Sequence, residues 1–175
     1  DWVQEQIATS GTPRGIALDL RELASIHGFL FLGKTTIKSA PYDVEAILPI
    51  AREFWTTVLK TREWREEYSL IHEVPVLKAL AKAWFYVFIA RRNQQRDKAE
   101  QLRSYIRRTE FNGQWMESVP GLKAHTVPAE GQFGFRFSPA HNDIVARIVE
   151  HILGKRESVG TRSRKSKTAG EEIFN

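Results

Sequence analysis

The chain of 175 residues contains no cysteine. That absence excludes a disulfide framework, a thiolate zinc site and a cysteine nucleophile, and it suits the reducing cytoplasm, where the protein is expected. Long apolar runs are missing too. The longest, AWFYVFIA at 83–90, is far shorter than the about 20 residues that a membrane-spanning helix needs, so no membrane partner is expected. Histidine is sparse and scattered, at His27, His72, His125, His141 and His151. His72-Glu73 lacks the second histidine of a zinc-binding H-E-x-x-H, because position 76 is Val. There is no G-x-S-x-G, and the acidic doublets Glu66-Glu67 and Glu171-Glu172 are adjacent residues, which do not face each other on a helix. No metal, no cofactor and no catalytic constellation are therefore expected. No basic-then-apolar leader opens the chain, which begins at Asp1; the expectation is the C-terminal part of a longer protein.

What the chain does have is a greasy centre. Val74–Arg92, VPVLKALAKAWFYVFIARR, starts with a proline suited to a first helical turn. Lys78 and Lys82 are its only charges between Val76 and Ala90. A helix without a polar stripe is buried on most sides, so this segment is expected to be the central helix of a mainly α fold. Around it, Asp19 caps a helix through Leu20, Leu23 and Ile26 that Gly28 ends, and FLFLG then forms a short strand or extended segment. Asp43 caps a long amphipathic helix carrying Ala51, Trp55, Val58 and Leu59, with Pro49 kinking or restarting it. The charged TREWREEY stretch is expected at the surface. FNGQW reads as a turn. Phe133, Phe135 and Phe137 alternate as one face of a strand in a small hairpin near 122–137. Ser138 and Pro139 open the last helix, whose core stripe is Ile144, Val145, Ile148, Val149 and Ile152, and Gly154 ends it. The expected organisation is one helical domain over 1–154 and a basic flexible tail over 155–175.

Gly28–Thr35 matches G-x-x-x-x-G-K-[ST] letter for letter. A phosphate-cradling loop needs small residues and a helix starting at its lysine. Here the variable positions are Phe, Leu, Phe and Leu, and Pro41 follows closely, so a chance match is expected.

The net charge of +5 makes a polyanion a reasonable partner. At about 100° per residue, Arg92, Arg96, Arg103 and Arg107 share one helix face, with Arg91 and Arg108 beside it. Such a face reads either as phosphate-backbone contact or as a solvated face with i,i+4 pairs such as Arg96–Glu100. The tail, with Arg162, Arg164, Lys165 and Lys167, holds six Lys/Arg and three acids; it is either a nucleic-acid arm or a solubilising end.

Residues 53 to 81 resemble a segment of the DGQHR-domain proteins that include the DndB-like, DNA-sulfur-modification-associated group. The resemblance rests on Trp55 and Trp64, on Arg65-Glu66-Glu67-Tyr68, on His72, and on Leu77-Lys78-Ala79; Trp115, followed by a hairpin and a helix, fits the family's C-terminal part. The namesake Asp-Gly-Gln-His-Arg is absent from the chain, and no functional residue is carried over from it. The resemblance implies a bacterial or archaeal protein tied to DNA backbone modification, its regulation and defence against foreign DNA. Two readings follow: DNA binding through the basic helix face and tail, or a protein-interaction module that docks a partner subunit or a second copy without touching DNA.

Overall fold

The computed structural model describes residues 2–9, 18–33, 44–90 and 96–154. Among these, eight α-helices and one two-stranded sheet are arranged around the central helix that the sequence implies. That helix, α5 (Val74–Trp84), continues through a π-helical turn over Phe85–Ala90. It packs most extensively on α8 (His141–Leu153) and α2 (Leu20–Leu32). Burial follows from its composition: Val76, Leu77, Ala79, Leu80, Ala81, Ala83 and Trp84 are fully enclosed. Each buried Val or Leu side chain contributes about 1.5–3 kcal/mol. Trp84 stacks on Phe88 one turn later, with ring centroids 4.3 Å apart, and its indole N–H is buried with no hydrogen-bond partner among the described residues.

The second layer is α3 (Val44–Leu59), which touches α1 (Trp2–Thr9) and α6 (Arg96–Arg108). Pro49 does not divide α3: it sits exposed in the early turns and the helix continues through it. Asp43, the expected cap, lies outside the described residues. In α2, Asp19 caps as expected, reinforced by Glu22 reaching back to the Asp19 N–H.

Several local expectations are corrected. Gly28 does not end α2, which runs to Leu32 and closes on Gly33 at φ +65. The FLFL segment is helix, not strand, because Leu23, Ile26, Phe29 and Leu30 extend one buried face, and that burial offsets the about 1 kcal/mol cost of an internal glycine. The TREWREEY stretch is not all surface: in the short helix α4 (Arg62–Arg65), capped by Thr61, Trp64 is 0% exposed. Asn112 is the N-cap of another short helix, α7 (Gly113–Ser118), and not the centre of a turn. The last helix begins at His141, with Ala140 as N-cap and no side-chain cap, so Ser138 does not perform that role.

The hairpin precedes α8 as expected. Strands β1 (Thr126–Pro128) and β2 (Phe135–Phe137) pair antiparallel with Thr126 opposite Phe137. Phe135 and Phe137 share the half-buried face while Arg136 points out; Phe133 lies in the turn, its ring 5.9 Å from that of Phe135. No helix among the described residues is long and apolar enough to cross a membrane.

Candidate nucleic-acid interface

The expected arginine face belongs to α6. Its strongly amphipathic sequence puts Leu102 and Ile106 into the core and the polar residues outward. The outward face is not uniformly free. Arg103 turns toward α3, where its Nε and one terminal nitrogen donate to Glu53 Oε1 at 2.9 and 2.6 Å. Its guanidinium also lies 4.9 Å from the centre of the Phe88 ring, and its other terminal nitrogen is 3.7 Å from Glu100. Arg103 is only 25% exposed. It therefore clasps α3, α6 and the π-helical turn together, and a phosphate would have to displace a carboxylate to reach it.

Arg107 is 56% exposed, with only a long 3.9 Å approach to Glu100. Arg108 is exposed and has no ion-pair partner among the described residues. These two form the accessible cationic end of α6. Arg96 begins the helix. Arg91, Arg92, Arg162, Arg164, Lys165 and Lys167 lie outside the described residues, so the structure brings together Arg103, Arg107 and Arg108 from the predicted set.

The Gly28–Thr35 match loses its phosphate reading. Residues 28–32 are α-helical, and the N–H groups of Phe29–Leu32 lie inside the helix rather than curling around an anion. Lys34 and Thr35 lie outside the described residues.

Three of the histidines are packed, each in a different way. Trp55 Nε1 donates to His27 Nε2 at 3.0 Å, so His27 is neutral with its proton on Nδ1, and burial lowers it below the usual histidine value. His72 has the opposite tautomer: Nε2–H donates to the Trp64 carbonyl at 2.9 Å while the ring meets Trp64 edge-on, and burial lowers it as well. His141 Nδ1 accepts from Lys78 Nζ at 3.2 Å. Desolvation lowers both groups. No group of three or more His, Cys, Asp or Glu that could hold a metal occurs among the described residues.

One feature escaped the sequence reading. A groove of about 800 Å³ opens between residues 67–73 and the hairpin turn. Among the described residues, Glu67, Glu73 and Glu130 line it against a single guanidinium, Arg136, together with Tyr68, Phe133 and Phe135. Tyr68 is 55% exposed. The Phe133–Phe135–Phe137 alternation was a usable signal, and Glu130 lies in the same hairpin; Glu67 and Glu73 come from a segment some sixty residues earlier.

No protein-family model, no curated protein and no solved structure matches the chain.

Proposed function

We propose that the protein binds duplex DNA through its phosphate backbone, as a regulatory or accessory component of a DNA-modification and defence system, and so acts in the cytoplasm. The segregation of charge carries this reading. Residues 91–108 hold seven Lys/Arg against two Asp/Glu and residues 155–175 six against three, a surplus of +8 in two stretches of a chain whose total is +5. Positive charge gathered in a few segments on a near-neutral body suits contact with a polyanion, with counterion release supplying the affinity. The exposed Arg107–Arg108 end of α6 and the tail residues Arg162, Arg164, Lys165 and Lys167 are the contacts; Arg103 supports the scaffold. The link to DNA modification rests on the resemblance alone. Trp55, Trp64 and Leu77 are core residues here and His72 packs on Trp64, so that pattern speaks for a shared scaffold and not for shared chemistry.

The test is duplex affinity as a function of salt. Arg107→Glu with Arg108→Glu should weaken binding at low salt by tenfold or more and flatten the salt slope by about one per lost phosphate contact. Arg103→Ala should leave affinity within about twofold while lowering stability by about 1 kcal/mol. Affinity that does not change with salt, or survives loss of both the α6 end and the tail charges, rejects the proposal. The acidic, aromatic groove favours the second reading, a protein-interaction module; saturable binding to a purified partner with no duplex shift at low salt would select it.

A further inference from the structure

The groove between residues 67–73 and the hairpin turn has the opposite character to the proposed DNA surface. Glu67, Glu73 and Glu130 face it with only Arg136 to balance them, and none of the three has an ion-pair partner among the described residues. Partial desolvation already holds the Glu73 carboxyl above the usual carboxylate value, which a nearby cation would relieve. Tyr68 stands exposed on one wall and Phe135 forms part of the other. Carboxylates beside aromatic faces suit guanidinium and ammonium side chains, which pair with the first and stack on the second.

We infer that this groove is a docking site for the chain's own basic segment 161–168, TRSRKSKT. Charge complementarity is the first argument: 155–168 carries six Lys/Arg and one Glu. Reach is the second. α8 begins at His141, four residues after β2 ends at Phe137, and runs 13 residues to Leu153, a length of about 20 Å. A chain leaving Gly154 and doubling back along α8 covers that distance in six or seven extended residues, at about 3.3 Å each. Residues 161 onward are then level with the hairpin. Tethering is the third: a short linker gives an effective concentration in the millimolar range, enough for a modest set of charge contacts. A segment held this way is withheld from other anions, so the groove is a self-capping device. The inference does not rest on the DNA reading, because both partners are in this chain.

Because the full chain lacks cysteine, a nitroxide attached at Ser166→Cys reports on one place only. The amide signals of Glu130, Gly131 and Gln132 should lose at least twofold more intensity than those of Gln101 and Ser104 on α6. The difference should vanish in Glu67→Gln/Glu73→Gln/Glu130→Gln, and in Arg162→Glu/Arg164→Glu/Lys165→Glu/Lys167→Glu, which changes no residue of the groove; it should shrink as salt screens the contact. Equal broadening over the whole surface overturns the inference. So does groove broadening that survives the tail reversal. Broadening that appears only when spin-labelled chain is mixed with isotope-labelled chain overturns it in favour of docking between two copies. Duplex binding measured on the same variants is a separate readout, and its absence leaves the docking result standing.

Discussion

Glu63 is a single carboxylate on which three segments converge. From α4 its Oε2 accepts the Ser69 hydroxyl at 2.7 Å and the Phe111 N–H at 2.9 Å, while the Leu70 N–H donates to the Phe111 carbonyl at 2.7 Å. Phe111 is fully buried, and Ser69 caps the 3-10 turn over Leu70–His72 that leads into α5. Replacing Glu63 by Ala leaves a hydroxyl and an amide without their acceptor. Hydrogen bonds to a charged group are worth about 1.5–3 kcal/mol each, and the half-exposure of Glu63 reduces that, so the expected loss is about 2–4 kcal/mol. Gln keeps one acceptor oxygen and should cost about 1–2 kcal/mol. At this chain length each kcal/mol lowers Tm by about 2–4 °C, which puts the Ala variant about 5–15 °C below the parent. Urea unfolding followed by tryptophan fluorescence should show a lower midpoint with an unchanged slope. An Ala variant within about 0.5 kcal/mol of the parent would refute the idea that this carboxylate organises the junction.

His27 should make stability fall with acid: the unfolded chain takes up a proton near the ordinary value of 6.5, the folded chain resists it because burial lowers the group, and so the contribution is complete above that pH and lost as pH drops below it. Urea midpoints at pH 7.5 and 5.5 should differ more for the parent than for His27→Gln; an equal difference refutes the role of His27. Gly33→Ala should cost more than 1 kcal/mol, since its φ is +65 and an added Cβ would lie 2.7 Å from the Phe85 ring; a thermal scan that finds no loss refutes the closeness of that approach. Lys78→Met should be neutral or stabilising by up to about 1 kcal/mol, because Lys78 is 8% exposed and its one hydrogen-bonding partner among the described residues is His141; a marked loss in chemical denaturation would mean that the ammonium is needed where it lies.

Where burial is a local, repeating property, the sequence was a sufficient guide. α5 has no polar stripe to turn outward, α8 repeats Ile144, Val145, Ile148 and Val149 on one face, and Phe135 and Phe137 share a strand face, each as expected, while Phe133, the first of the alternating three, falls in the turn. The misreadings fall where a distant contact decides. Gly28 carries the ordinary signal of a helix end, but α2 is held against α5 beyond it, and the left-handed position falls at Gly33. Trp64 sits among charges, but the His72 ring meets it edge-on and its neighbour Glu63 is tied to Phe111, 48 residues on, which the run of charges does not show. Ser138 before Pro139 is a conventional start signal, yet its N–H is engaged with His125 across the hairpin and the helix opens two residues after Pro139.

The arginine face shows the same limit at the level of function. A helical wheel ranks Arg103 and Arg107 as equals, a few tens of degrees apart. What separates them is Glu53, fifty residues earlier, which α3 delivers to one and not to the other. An arginine that bridges two helices and lies over an aromatic ring is already neutralised, and losing it loosens the scaffold; an arginine on the next turn with a carboxylate only at 3.9 Å retains its charge for a ligand. A basic helix is therefore a candidate interface only in proportion to the cations that its neighbours leave unpaired. Here that criterion moves the proposed contact to Arg107, Arg108 and the tail, and it leaves the acidic groove as the competitor for the same tail. Reversing the tail charges should then have two consequences that tell the roles apart: duplex affinity falls, and the groove amides lose their proximity to the tail. Neutralising the groove carboxylates instead should release the tail and raise duplex affinity. An affinity that falls on removing those carboxylates would contradict competition between the two anionic sites.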